Sequence, residues 1–191
     1  MASGSRNPTI QELIESHHAL LYRYAYRLCG SAVDADDLTQ QTYLIAHEKI
    51  RQLRDPQSAK SWLCTILRHA YLRIVRHQTV LQPLDYAKDY PQPVSHDSFD
   101  EEALQLALSK LPEEYRSAVI LYYFQELSYQ EIAEVLEIPL GTVMSRLSRG
   151  KSQLKVLLEL RGSRLPVPQS PGSSRPAKEI LKPRLVSIFP N

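Results

Sequence analysis

Three prolines, Pro83, Pro91 and Pro93, fall among Asp85, Asp89 and Asp97 in a stretch with little apolar periodicity, and this stretch divides the chain. Proline fixes φ and has no backbone donor, so neither a long helix nor a central strand continues through such a segment. On both sides of it, apolar residues recur at helical spacing. Ile10, Leu13, Ile14, Leu20, Leu21, Tyr24 and Leu28 mark a first helix from Thr9 to about Cys29, with Gly30 as its C-cap. Asp34 is expected to cap a second helix to about Lys49, with Leu38, Tyr43, Leu44 and Ala46 on its apolar side. Arg51 to Gln57, which contains Asp55-Pro56, reads as a loop, and a third helix opens at Ser58 or Lys60 and runs to about His77. Beyond the break, four shorter helices are expected. They cover residues 100–110, a segment opened by Pro112 at N1 and reaching about Gln125, one starting at Ser128, and Leu140 to about Leu160.

The fold class that follows is all-α. Two small helical domains, residues 9–78 and 99–161, are joined by a flexible linker, 79–98, and a Pro/Ser-rich tail, 162–191, is expected to be disordered.

Composition mainly excludes. Of 191 residues, 43% are hydrophobic, which suits an ordinary globular protein, and the net charge of +2 says little by itself. Cys29 and Cys64 have no CxxC partner and make no disulfide framework, so reduced, partly buried thiols are expected, with no metal and no cofactor. No run approaches the roughly 18 apolar residues of a membrane span, and Met1 to Pro8 lacks a signal-peptide core, so a soluble, cytoplasmic protein is expected. No Ser-His-Asp set, carboxylate pair or phosphate-cradling glycine loop stands in a plausible context, so no catalytic residues are assigned and the chain is not read as an enzyme.

The segment Leu127 to Leu154 has the layout of a helix-turn-helix. Ser128 with Glu131 has capping-box spacing, Glu137-Ile138-Pro139 makes a turn, and a second helix follows. Ala133 is small where two helices would cross closely. At about 100° per residue, Val143, Leu147, Gly150 and Leu154 share a narrow arc that packs inward. The opposite arc carries Thr142, Ser145, Arg146, Arg149 and Ser152, and Lys151 and Lys155 extend its positive charge. Arginine can bond a guanine edge through two donors, and hydroxyls reach bases or phosphates, so this helix suits a DNA major groove. A solvated basic helix in a generic bundle is the plainer alternative. The third helix has an apolar arc of Leu63, Ile66, Leu67, Ala70, Tyr71 and Ile74 opposite Arg68, His69, Arg73, Arg76 and His77, a surface fit for phosphates.

Two sets of residues resemble a known family. Asp34-Ala-Asp-Asp-Leu-Thr-Gln-Gln-Thr-Tyr-Leu-Ile-Ala and Ser61-Trp-Leu-Cys-Thr-Ile-Leu-Arg-His are similar to region 2 of the extracytoplasmic-function (ECF) sigma factors of the sigma-70 family. Leu111-Pro-Glu-Glu-Tyr-Arg, Leu127-Ser-Tyr-Gln-Glu-Ile-Ala and Gly141-Thr-Val-Met-Ser-Arg-Leu resemble their region 4, and the match covers roughly residues 10–160. The resemblance implies a protein that binds core RNA polymerase, through the largest-subunit coiled coil and the flap, and directs it to promoter DNA. It puts polymerase contacts on Asp37, Gln40 and Gln41, minus-ten contacts on Trp62, Arg68, His69, Arg73 and Arg76, and minus-thirty-five contacts on Thr142, Ser145, Arg146, Arg149 and Lys151. Asp37 also suits a helix first turn, and Trp62 is as readily a packing anchor as a base-stacking platform. An anti-sigma factor is a further implied partner.

Four residues depart from the family pattern. His69 stands where Asn is common, Arg73 where Asp is frequent, His47 in place of a frequent Trp, and Met144 where Lys or Arg is usual. Two other readings stay open: a stand-alone helix-turn-helix regulator binding as a dimer, and a sigma mimic that sequesters an anti-sigma partner. The tail lies outside the resemblance, and its stretch Glu179 to Phe189 is apolar enough to be a docking peptide.

Overall fold

The fold is given by a computed structural model that describes residues 8–81 and 99–159. Among them are seven α-helices and no strand: α1 (Ile10–Cys29), α2 (Ala32–Lys49), α3 (Ala59–Leu81), α4 (Phe99–Lys110), α5 (Glu113–Tyr123), α6 (Tyr129–Leu136) and α7 (Leu140–Glu159). The interblock segment beyond Leu81 and the tail lie outside the described residues, while Thr79 to Leu81 belong to the end of α3. No helix among the described residues is long and apolar enough to cross a membrane.

Local chemistry explains most helix boundaries. Thr9 and Glu12 form a capping box at the start of α1, and Gly30 ends it in the left-handed region at φ 74°. Ser31, rather than Asp34, caps α2: its hydroxyl accepts from the Asp34 N–H, so the aspartate sits inside the first turn. Pro112 is likewise one position further out than expected, an N-cap preceding Glu113. Asp55 accepts from the Gln57 N–H and starts a short 3₁₀ turn, Pro56–Ser58, that feeds α3.

In the first block α1, α2 and α3 enclose Leu21, Tyr24, Leu38, Leu63 and Leu67, and in the second α4 to α7 enclose Leu108, Ile120, Leu121, Ile132 and Val143. Leu44 is a correction to the sequence reading, since it is 68% exposed and belongs to the outer face of α2. Ile74 also falls outside the buried arc of α3.

The two blocks are packed against each other. α3 lies along α6, and α1 meets α4 and α5. The contact is centred on Arg27, whose side chain is 2% exposed although it carries a full charge. Its guanidinium donates to Glu101 (3.1 Å) and Gln105 (3.0 Å) and lies 4.8 Å from the centre of the Phe124 ring. Burial pulls the Arg27 pKa below its ordinary value, and the Glu101 charge opposes that. Gln105 also donates to the carbonyls of Tyr26 and Arg27, and Arg116 donates to that of Leu28. The Tyr26 carbonyl also accepts from the Gly30 N–H, whereas those of Arg27 and Leu28, at the end of α1, are met from the second block. Arg68 approaches Glu113 (4.0 Å) and His69 approaches Glu137 (3.6 Å) across the same boundary.

Within the second block the helix-turn-helix is tightly specified. Ser128 and Glu131 exchange both bonds of a capping box. Glu137 adopts φ 55°, which lets the Ile138 N–H reach the Ala133 carbonyl (3.1 Å) and turns the chain into α7. Gly150 faces α5 so closely that an added Cβ would lie 2.8 Å from Val119 Cγ2 and 3.3 Å from Tyr115 Cβ.

Two expectations follow. Gly150→Ala should lower stability by about 1 kcal/mol or more despite its better helix propensity, because crowding outweighs it. Gly141→Ala, in the first turn of α7 where the added Cβ meets nothing within 4 Å, should raise stability by up to about 0.5 kcal/mol, both variants being compared with the parent by urea titration. Separately, Glu101→Leu leaves a buried cation without its anion and should cost about 2–4 kcal/mol, more than Arg27→Met, which removes the charge itself.

Candidate nucleic-acid interface

The second helix of the helix-turn-helix, α7, rests on α4, α5 and α6 through Val143, Leu147, Gly150, Leu154 and Leu158. Its orientation is fixed by the left-handed turn at Glu137 and by the Pro139 carbonyl, which accepts from the N–H groups of Thr142 (2.8 Å) and Val143 (3.2 Å). The face turned outward carries Gly141, Met144, Ser145, Ser148, Arg149 and Ser152. Arg149 presents a positive charge to solvent there, and Ser145 and Ser152 turn their hydroxyls to carbonyls of their own helix, those of Thr142 and Ser148.

The expected minus-thirty-five residues are thus on one helix but not on one face. Ser145 and Arg149 are exposed, whereas Thr142 and Lys151 are half-buried at the flanks. Arg146 is 21% exposed, and its Nη2 lies 3.2 Å from Glu114 Oε2 on α5. The acid holds this guanidinium along the helix junction, beside rather than across the outer face. Leu140 and Met144 are exposed one turn apart on α7; the family resemblance marked Met144 as a departure from the usual Lys or Arg, while Leu140 was assigned no role in the site. On the helical wheel Met144 falls clear of the arc of Val143, Leu147 and Leu154, whereas Leu140 lies at the edge of that arc and is exposed because it is the first residue of the helix.

A second basic surface lies on α3. Arg73, Arg76 and His77 are exposed, and His69 is exposed with Glu137 beside it. Arg68 is different: its side chain is largely buried beneath the second block and faces Glu113. Trp62 is half-buried against the core of the first block. In the closed arrangement, then, this surface is divided between residues open to solvent and residues facing acids of the other block.

The third surface is the outer stripe of α2. Asp37 and Gln40 are exposed and Gln41 is half-buried. Val33 and Leu44, exposed on the same stripe, place an apolar side chain at either end of this polar group. At 100° per residue Val33, Asp37, Gln40 and Leu44 fall within about 60° of each other, which is the width of one partner helix.

Among the described residues no three His, Cys, Asp or Glu side chains come together to hold a metal. Neither Cys29 nor Cys64 forms a disulfide among the described residues, and burial pushes the Cys64 pKa up to about 12, which leaves it a poor nucleophile.

Comparison with known proteins identifies the two blocks. Residues 13–80 match the family described as Sigma-70 region 2, and residues 101–154 match Sigma-70, region 4. The ECF RNA polymerase sigma factor SigE of Mycolicibacterium smegmatis is 36% identical over 165 residues, covering 82% of this chain and 64% of that protein. The RNA polymerase sigma factor YlaC of Bacillus subtilis is 31% identical over 156 residues, covering 77% of this chain and 90% of that one. Among solved structures, the sigma factor RpoE in complex with the anti-sigma factor NepR from Bartonella quintana superposes with a TM-score of 0.69 at 26% identity. That superposition covers 78% of this chain and 96% of the other. With region 2 on its first helical block and region 4 on its second, in that order, the chain belongs to the ECF sigma factors of the sigma-70 family.

Proposed function

We infer that this chain acts as a promoter-directing subunit, binding core RNA polymerase and engaging minus-ten DNA through the first block and minus-thirty-five DNA through the second. The observation that carries this reading is the presence of both units in one chain, each with an outward surface suited to its target. A stand-alone regulator would need only the second block, and a decoy for an anti-sigma factor has no need of Arg149 on the outer face of α7. The chain itself catalyses nothing in this reading. Binding free energy opens the DNA, and the polymerase, in the cytoplasm, does the chemistry.

Roles follow residue by residue. Asp37, Gln40 and Gln41, flanked by Val33 and Leu44, meet the coiled coil of the largest polymerase subunit, and the second block meets the flap. Apolar side chains around a small polar centre give such a contact most of its free energy. Arg73, Arg76, His69 and, once uncovered, Arg68 hold the minus-ten strand by its phosphates, with Trp62 beside them. On α7, Arg149 and Ser145 face the minus-thirty-five groove, and Thr142, Arg146 and Lys151 hold its flanks.

The closed packing bears directly on this function. Promoter elements centred at minus ten and minus thirty-five lie about 85 Å apart on B-form DNA at 3.4 Å per base pair. A compact body of the size described here is about 35–40 Å across. The blocks therefore part when both elements are read, and the residues between them, fully extended, span at most about 60 Å. The remaining distance is covered by the blocks themselves. An anti-sigma factor would act on this chain by holding the blocks in place; the relative RpoE is itself seen in complex with the anti-sigma factor NepR.

The test is run-off transcription with bacterial core polymerase on a pool of promoter fragments from the host. Discrete transcripts should appear only with this protein. Arg149→Ala should weaken promoter binding by about 1–3 kcal/mol if the contact is to a base. Leu44→Glu should weaken core polymerase binding at least about tenfold while leaving DNA binding by the second block intact. Absence of both transcripts and core association would overturn the reading.

A further inference from the structure

The outer face of α7 is chemically mixed in a way that its basic residues do not explain. Leu140 and Met144 are 49% and 54% exposed, sit one helical turn apart, and lie in the first two turns of the helix. Nothing in the fold requires them to be apolar, since the core contacts of α7 are made by Val143, Leu147, Gly150, Leu154 and Leu158. Gly141 follows Leu140 and lies about 60° round the helix from Met144, and the Cβ it lacks would meet no protein atom within 4 Å. A glycine in a helix costs stability relative to alanine, so its presence here has no packing reason. The same face continues with Ser145 and Ser148, both small. Together these residues make a low, partly apolar surface over which another molecule can approach the helix backbone closely.

The charge around this surface narrows the identity of that molecule. Arg149 is exposed beside it and Lys151 stands half-buried at its edge, while the acids Glu114 and Glu137 lie at the helix junction and the turn, away from the outer face. Cations around a shallow apolar centre fit a DNA major groove, in which phosphates line both walls. The floor of that groove carries one apolar group only, the C5 methyl of thymine. Residues near the N-terminus of a recognition helix are the ones that reach base edges.

We propose that Leu140 and Met144 are specificity-determining residues that recognise thymine methyl groups in the minus-thirty-five element. This rests on the promoter-directing function inferred above and adds to it the chemical class of base that the helix selects. Leu140 and Met144 each bury a methyl-sized apolar contact against the groove floor, Gly141 and the serines allow the helix to come close enough, and Arg149 anchors the register. Recognition at this position is then by apolar contact, without hydrogen bonds from residue 144.

Deoxyuridine substitution tests this, because it removes the methyl and leaves every base-pair hydrogen bond in place. Holoenzyme assembled from core polymerase and the full chain is bound to a promoter recovered in the run-off assay, and each thymine of the minus-thirty-five element is replaced in turn. One or two replacements should weaken binding about three- to fivefold, the effect of burying one methyl group. Met144→Gln, of similar size but polar, should bind the thymine and uracil forms equally at one of those positions. Leu140→Ala should do so at the other, and Met144→Leu should keep the preference. Arg149→Ala should weaken both forms alike. If every replacement changes wild-type binding by less than about 1.5-fold, or if the variants keep the full preference, the proposal is overturned while promoter selection stands. That result would instead assign the pair to a protein partner. If the holoenzyme selects no promoter at all, the functional reading itself fails, and this proposal with it.

Discussion

A buried arginine that reaches out of its own block is what holds the closed molecule together and gives the interface its direction. Arg27 belongs to α1, yet Glu101, Gln105 and Phe124 come to it from the second block. Desolvating a guanidinium costs several kcal/mol unless its donors are met, so the contact is favourable only when these groups arrive together. The same residues complete the end of α1, whose carbonyls accept from Gln105 and Arg116. Mating the blocks therefore satisfies polar groups that either block alone leaves to water.

The nucleic-acid surfaces inherit their accessibility from that contact. Glu113 and Glu137 stand against Arg68 and His69 in the positions that anionic phosphates would take on the α3 surface. Within the second block Glu114 restrains Arg146 in the same manner. In the proposed function these acidic side chains occupy the places that DNA phosphates would take. The outer face of α7, a helix that rests on α4, α5 and α6 of its own block, is organised by apolar contacts beneath it and is open to solvent.

Much of this was legible in the sequence where the signal is local. The helices, the capping box at Ser128 and the inward arc of α7 follow from spacing, because i, i+3 and i+4 positions share a face whatever the tertiary context. The errors arose where a local pattern has two solutions. Leu44 fits the edge of an apolar arc, but Leu38, Thr42 and Ala46 fill the space beneath α2 and leave it outside. Ser31 and Asp34 can each cap a helix, and Ser31 precedes the first residue with helical backbone. The role of Arg27 was out of reach, since on a helical wheel it lies beside Leu20 like any boundary arginine, and its partners in the second block are more than seventy positions away. For the site, residue types were readable but their division between open and covered was not, because burial of Arg68 and restraint of Arg146 depend on α5.

The two arrangements of the blocks also differ in how they respond to dissolved ions. Phosphate contacts release condensed counterions, so DNA affinity falls steeply as salt rises. The Arg27 guanidinium is buried, although Glu101 is partly exposed, so their contact is screened less than one between two exposed charges. Under the proposed function, raising the ionic strength therefore weakens the open, promoter-bound form more than the closed one. The balance between them moves with the salt content of the surroundings, with no dedicated sensor needed.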